Sequence, residues 1–407
     1  LAERFGVSRQ AIWKMIQRFQ AIGGLSLEAT DKELIRILGS EPIRLVIDHN
    51  MGGGANLYRE RLIKGWLSSS AKSIVLLTFS LSQMGYLLDI YLNGAHYRKR
   101  ISSADIITSI IPKINVSEIF INCLVSFPKA SLLQAHIVEW LSISNAALTV
   151  AIHEYFMICP SHFLLDWKGI YCGVPDDRHV CQQCLERHQD GFTSLTGVRS
   201  ISIWRQMWGE LLTRADEVRC FSSSSCQLIR RAYPMLEDRL TLIPHAMEPL
   251  RIPILIERRA GEPIKVGVVG SITEHKGASV LDELMRAIEN NGAHVQIVVI
   301  GKIDANISRG PIMETGAFET KDLPNLFEQH GIHLALMPSI CPETFSFVTH
   351  KLILMNIPIA CFSFGAQAEA VSGYAKGCIL KGNNGQAILA ELISFANKTL
   401  EKHHYSP

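Results

Sequence analysis

The sequence has no apolar run approaching the roughly 20 residues that a helix needs to cross a bilayer, and no internal repeat or low-complexity tract beyond Ser222–Ser225 interrupts its 407 residues. It also lacks a charge excess: 40 Lys and Arg against 38 Asp and Glu leave +2, which gives no broad nucleic-acid signature. The dinucleotide fingerprint is missing, because Gly52-Gly53-Gly54 is not continued by small residues through Leu57 and no acidic residue closes a second strand at the usual distance. A P-loop is missing too, since no Gly-Lys-Ser/Thr follows Gly270. The ten cysteines are too sparse for the framework of a small secreted domain, and Cys123, Cys220, Cys226, Cys341, Cys361 and Cys378 lie scattered along apolar stretches. That usage fits a reduced, cytoplasmic protein. The chain opens on Leu1 rather than methionine, as a fragment would, which leaves an upstream signal or anchor open.

What is present is an alternation of buried strands and helices, 47% apolar overall, in a chain too long for one ordinary core. Strands are expected at Ile43–Asp48, Ser73–Phe79, Leu87–Leu92, Tyr97–Ile101, Ile119–Cys123, Ala147–Ile152, Glu217–Phe221 and Leu240–Ile243, with Asn93-Gly94 as a hairpin turn. Pro244, Pro249 and Pro253 mark a linker. Beyond it, Ile264–Gly270, Gln296–Gly301, Ile312–Gly316, Ile332–Met337 and Ile357–Phe362 read as strands of a second α/β lobe. The domain reading is a helical segment at 1–40, an amino-terminal lobe at 41–250 with a Cys-rich insertion at 159–184, a carboxyl-terminal lobe at 251–385, and a helix and tail at 386–407. Within residues 1–24, Ala2, Gly6, Ser8, Ile12, Met15 and Ile16 have the cadence of a helix-turn-helix, as in many bacterial DNA-binding regulators. The competing reading is a short amphipathic helix pair that packs or links.

Four stretches carry chemistry. Gly52, Gly53 and Gly54 follow the first strand and bring backbone N–H groups and a helix start toward a polar or anionic ligand. His153 and Glu154 leave the carboxyl end of another strand, where α/β proteins bind ligands. Taken alone, His153 reads equally as a satisfied loop histidine and Glu154 as a helix-start carboxylate. Gly270, Ser271, Lys276 and Gly277 suit a diphosphate, which backbone N–H groups and an ammonium would share. Cys341-Pro-Glu343-Thr344-Phe345-Ser346 places one carboxylate between a strand and a helix start.

Cys159, Cys172, Cys181 and Cys184 form a separate cluster. Its Cys-x-x-Cys end allows two thiolates to reach one ion, and the other two would complete a tetrahedral structural zinc site, with His162, His179 and His188 as alternative ligands. Buried free thiols, a disulfide or a redox pair are the competing readings.

From Ile43 to Thr399 this constellation resembles a bacterial GT-B glycosyltransferase of the family-4, retaining type. The matching pieces are Gly52–Ala55, His153-Glu154, Ala215-Asp216-Glu217-Val218 with Ser222, Ile243-Pro244-His245, Gly270 to Lys276-Gly277, Thr315-Gly316 and Pro342-Glu343. The resemblance implies two Rossmann-like lobes with parallel sheets facing across a cleft. It also implies transfer of a sugar from a nucleoside-diphosphate-sugar to a cell-surface polysaccharide or lipid-linked glycan, at the inner face of the membrane, with no metal required for catalysis. A nucleic-acid partner is not expected, and a DNA-binding regulator acting through residues 1–24 is a further alternative. On this reading Lys276 neutralises the diphosphate, Glu343 accepts from sugar hydroxyls, Thr344, Phe345 and Ser346 offer N–H groups to phosphate, and His153 contacts the transferred sugar. Two positions depart from the pattern: the second carboxylate of Glu-x7-Glu is Lys351, and Ser271 replaces an arginine. An ammonium donates where a carboxylate would accept ribose hydroxyls, so a degenerate GT-B protein that binds nucleotide or glycan without transfer is the alternative to an enzyme.

Overall fold

The structure is a computed structural model that describes residues 28–69, 73–188, 192, 196–253, 258–259, 261–305 and 312–400. The helix-turn-helix reading of residues 1–24 lies outside these. The chain divides into two compact units: residues up to Phe221 with Ser225–Ile243, and Ser222–Ser224 with the residues from Pro244 onward.

In the first unit, helix α1 (Asp31–Leu38) is capped by the Thr30 hydroxyl, which accepts the Glu33 N–H at 3.3 Å. Strand β1 (Ile43–Asp48) is buried along its whole length, as its near-continuous apolar sequence requires. Helix α2 (Gly54–Ser69) follows, then β2 (Ser73–Ser80), β3 (Gly85–Leu92) and β4 (Ala95–Ile101). Asn93 and Gly94, both at positive φ, make the β3–β4 hairpin. Helix α3 (Asp105–Ile110), β5 (Val116–Ile121), α4 (Ala130–Ser144) and β6 (Ala147–Ala151) come next, then α5 (Arg178–Arg187), α6 (Ile201–Thr213), β7 (Glu217–Cys220), α7 (Ser223–Ala232) and β8 (Leu240–Leu242). The sheet has eight strands in the order β4-β3-β2-β1-β5-β6-β7-β8. It is not wholly parallel: β3 runs antiparallel to both β2 and β4, because a tight hairpin cannot join parallel neighbours. A core including Trp140, Trp204, Trp208 and Phe127 packs around this sheet.

The second unit holds β9 (Ile264–Ile272), α8 (Ala278–Asn291), β10 (Val295–Ile303), β11 (Ile312–Glu314), α9 (Leu323–His330), β12 (Leu334–Met337), α10 (Phe347–Leu354), β13 (Ile359–Phe362), α11 (Gly365–Ser372), β14 (Gly377–Leu380) and α12 (Gly385–Leu400). Its six strands are all parallel, in the order β11-β10-β9-β12-β13-β14. One apolar cluster packs Leu281, Leu284 and Ile288 of α8 with Leu389 and Leu392 of α12, and another gathers Phe327, Leu352 and Val371. In each sheet the chain starts in the middle and winds outward both ways. The strand order therefore reverses between β1 and β5 in one unit, and between β9 and β12 in the other. Such reversal points open a crevice at the carboxyl ends of the strands.

Candidate active site

In the first unit, the turn after β1 is held by Asp48. One carboxylate oxygen accepts the His49 N–H at 2.7 Å, and the other accepts Asn56 Nδ2 at 2.8 Å and the Arg59 guanidinium at 2.7 Å. Asn56 Oδ1 in turn accepts the Gly52 N–H at 2.6 Å. Gly52 and Gly53 have φ of 84° and 87°, so side chains there would be strained even though the space around them is open. Gly54 begins α2. Burial pulls the pKa of His49 down, and its Nδ1 accepts the Met51 N–H at 3.1 Å.

Just past the neighbouring strand β5 lies Asn122, whose Nδ2 donates to the Ala55 carbonyl at 3.0 Å. That bond orients the amide, so Asn122 Oδ1 faces His153 Nε2 at 3.1 Å as an acceptor. His153 stacks on Phe221 with centroids 4.5 Å apart and meets the edge of Tyr58 at 5.1 Å. Through Asn122, the His153 ring is thus tied to the start of the helix that follows the glycine turn. The reading of the sequence picked out His153 and the glycines but missed Asn122, Asn56 and Arg59.

Glu154 accepts the Phe156 N–H and lies 3.7 Å from the Cys123 thiol. Burial pushes its carboxyl up to about 7, against the opposing pull of these hydrogen bonds. Between the unperturbed 4.5 and about 7 the folded chain keeps a proton that the unfolded chain has released, so this group makes stability fall as pH rises through that interval. Glu154→Gln, neutral at every pH, is expected to flatten that slope. Urea midpoints of both proteins at about pH 5 and about pH 8 check it.

Cys159, Cys172 and Cys181 sit against the core of the first unit. Burial pushes the Cys159 thiol up to about 12 and raises those of Cys172 and Cys184. Cys181 and Cys184 are on α5, whose start is capped by Asp177, and Cys181 Sγ lies 3.6 Å from the Arg205 guanidinium. Among the described residues, the group of three metal-ligating atoms within 4.8 Å of one another is Asp48, His49 and Cys123, and the four cysteines are not gathered to that distance. Asp48 is already neutralised by Arg59.

In the second unit, Gly270 and an exposed Ser271 lie near the carboxyl end of β9, and a short 3₁₀ turn carries Lys276 into Gly277. Gly277 has φ of 89°, and a Cβ there would lie 2.0 Å from the Pro338 carbonyl oxygen. Only glycine lets the two loops touch. The His275 carbonyl accepts the Ile340 N–H at 3.1 Å. These contacts seat the Lys276 loop against the loop that follows β12.

That second loop is clamped from α11. Gln367, fully buried, accepts the Glu343 N–H at 3.0 Å and donates to the Cys341 carbonyl at 2.9 Å, while the Ala366 N–H donates to the Glu343 carbonyl at 2.9 Å. Both backbone groups of Glu343 are therefore fixed, and its part-buried side chain projects from a rigid turn. Burial pushes the Cys341 thiol up to about 12, with the Glu343 carboxylate adding to the shift and the Lys276 ammonium opposing it, so both charges act on one small region. Ser346 caps α10 by accepting the Thr349 N–H at 3.4 Å, and Thr344 and Ser346 are buried. Phe345 stacks on His350 at 4.2 Å. Lys351 donates to the Thr320 hydroxyl at 2.9 Å. Gln367 was not legible beforehand, since a glutamine 24 residues from its partner leaves no local signal.

In each unit, a turn singled out in the sequence thus lies at the reversal point: Gly52–Gly54 after β1, beside the unforeseen Asn122 after β5, and Gly270–Gly277 with Cys341–Ser346 after β12. No protein-family model and no curated relative matches the sequence. Solved structures do. Sucrose-phosphate synthase from Thermosynechococcus elongatus superposes with a TM-score of 0.55 at 13% identity, covering 89% of this chain and 94% of that one. The lipopolysaccharide outer core galactosyltransferase WaaB gives 0.52 at 11% identity, covering 88% and 91%. HepE of Anabaena, solved in complex with UDP-glucose, gives 0.51 at 14% identity, covering 89% and 90%.

The chain has the GT-B fold. The GT-B frame accounts for the separation of the picked residues into two sets. His153 and the glycine turn belong to the first unit, and Lys276, Glu343 and the α10 start to the second.

Proposed function

We propose that this GT-B chain transfers a sugar from a nucleoside-diphosphate-sugar to a cell-surface polysaccharide or lipid-linked glycan. The observation that carries the reading is the clamped Glu343 turn beside the Lys276 loop, because a fixed carboxylate next to an ammonium and a helix start pairs acceptors for sugar hydroxyls with donors for diphosphate. HepE, of like fold, holds UDP-glucose. In the proposed step, the acceptor hydroxyl oxygen bonds to the anomeric carbon on the face that the diphosphate leaves, the carbon–oxygen bond to phosphate breaks, and the acceptor proton passes to the departing phosphate oxygen. The configuration is retained. Lys276 and the N–H groups of the α10 turn take up the charge of the leaving group, and His153 contacts the sugar.

Among the described residues no helix is long and apolar enough to cross a membrane, and the proposal puts the protein in the cytoplasm, working at the inner face of the membrane. A thermal-shift panel of UDP-, GDP-, ADP- and dTDP-sugars tests the donor class: one nucleotide family should raise the melting temperature selectively, and uniform silence would count against the reading. Lys351, bonded to Thr320 where the family pattern has a carboxylate, favours the second reading of a protein that binds without transfer. Donor stabilisation with no transfer or hydrolysis would select it. The four-cysteine zinc site also stands as a proposal. Elemental analysis of purified protein should find about one zinc per chain, and a clear deficit retires it.

A further inference from the structure

A cavity of about 550 Å³ lies within the first unit, between α2 and the face of the sheet formed by β2, β3 and β4, and neither His153 nor Gly52–Gly54 is among its lining residues. Strand pairing defines that face. Leu76 is opposite Asp89, and Asp89 opposite Arg98, so these side chains share one surface, with Thr78 and Tyr91 two residues along their strands. The residues between them, Val75, Leu77, Leu88 and Ile90, go into the core. From the helix side the cavity is lined by Arg59, Ile63 and Lys64.

Two buried donors on this lining are unsatisfied. The Thr78 hydroxyl, on a residue 3% exposed, and Arg59 Nε, on a residue 7% exposed, have no hydrogen-bond partner among the described residues. Leaving such groups unpaired in the interior is unfavourable. Arg98 and Lys64 add two cations. The carboxylates present are already engaged: Asp89 takes His96 at 2.8 Å and Arg98 Nε at 2.7 Å, and Glu60 lies 3.6 Å from Arg59. Arg59 is paired with Asp48 and Arg98 with Asp89, so Lys64 supplies the charge that these pairs leave over, and together with the two unsatisfied donors it makes the lining suit an acceptor-rich anion.

We propose that this cavity binds a compact oxyanion, the phosphate or sulfate ester group of a small ligand, with Thr78 and Arg59 donating to it from the floor and Lys64 and Arg98 from the rim. Its size suits a sugar-sized ligand. The proposal does not depend on sugar transfer.

Calorimetric titration of the intact chain at constant ionic strength tests it, using inorganic phosphate, sulfate, glucose 6-phosphate and, as a neutral control, glucose. The titrations are run in the Lys276→Ala protein, so that the ammonium of the proposed donor loop does not contribute. Phosphate should bind saturably with one site per chain, glucose 6-phosphate more tightly, and glucose not at all. Comparison of sulfate with phosphate identifies which ester is preferred. Thr78→Val, which removes only the hydroxyl, should weaken phosphate about fivefold or more while unfolding at the same or a higher temperature, since an unsatisfied buried group is gone. Lys64→Met, at an exposed position of α2, should weaken it comparably without cost to the fold. Absence of saturable phosphate binding up to about 10 mM, or equal affinity in both variants, overturns the proposal.

Discussion

Glu343→Ala is expected to abolish sugar transfer, lowering the rate at least about a hundredfold, while leaving the fold's stability within roughly 1 kcal/mol of the parent. The separation follows from how the residue is held. Its N–H and carbonyl bind Gln367 and Ala366, and neither bond uses the carboxylate. Truncation therefore removes an acceptor without loosening the turn. Gln367→Ala makes the contrasting control. It leaves the buried Glu343 N–H and Cys341 carbonyl without that partner, which should cost about 1–3 kcal/mol and degrade transfer through misplacement of an intact Glu343. Product assays beside thermal melts distinguish the two. A Glu343→Ala protein that folds and transfers at the parental rate would remove the central residue of the proposed mechanism.

The largest effect on stability is expected at Asp48. Asp48→Ala strands the Arg59 guanidinium, whose side chain is 9% exposed, beside a fully buried site and releases Asn56 from its partner. Breaking a buried pair by removing one member costs about 3–5 kcal/mol, which would lower the melting temperature of a unit this size by on the order of 10 °C. The glycine turn is held through the same network, since Asn56 also takes the Gly52 N–H. The double variant Asp48→Ala with Arg59→Met should recover much of the loss, because it removes the stranded charge as well. Chemical denaturation of the single and double variants measures the difference, and a loss below about 1 kcal/mol in the single variant would show the pair to be dispensable.

Parts of this architecture could be read from the sequence because the signal was local. Strand β1 runs from Ile43 to Asp48 as its near-continuous apolar stretch indicated, and Asn93-Gly94 turns the hairpin that its φ preferences demand. Helix α1 has a local start signal in Thr30, the residue that caps it. Helix α4 did not: it begins after Lys129 at positive φ with no capping side chain, and seven of its residues, among them Gln134 and His136, are buried, so neither a start signal nor a clean polar face was available. Helix α11 likewise begins at Gly365 with no side-chain cap, and β14 is a four-residue edge strand that is mostly part-buried. The same division holds at the site. Glycines, the lysine loop and the carboxylate turn have recognisable local chemistry, whereas Asn122, Arg59 and Gln367 act through partners 11 to 67 residues away. Their identities, polar and ordinary in sequence, acquire meaning only when the sheet brings the loops together.

The hairpin that departs from the parallel pattern has a consequence for behaviour in concentrated solution. It makes β4 a terminal strand of the eight-stranded sheet, and an outermost strand with open backbone groups invites another molecule to pair with it and propagate into aggregates. This one runs Ala95-His96-Tyr97-Arg98-Lys99-Arg100-Ile101. At one end, the Arg100 carbonyl is also taken by the Ala29 N–H at 2.8 Å. Arg98, Lys99 and Arg100 each lie against an acid, Asp89, Glu33 and Glu28, so a strand pairing with this margin would have to disturb charged pairs rather than meet a bare apolar edge.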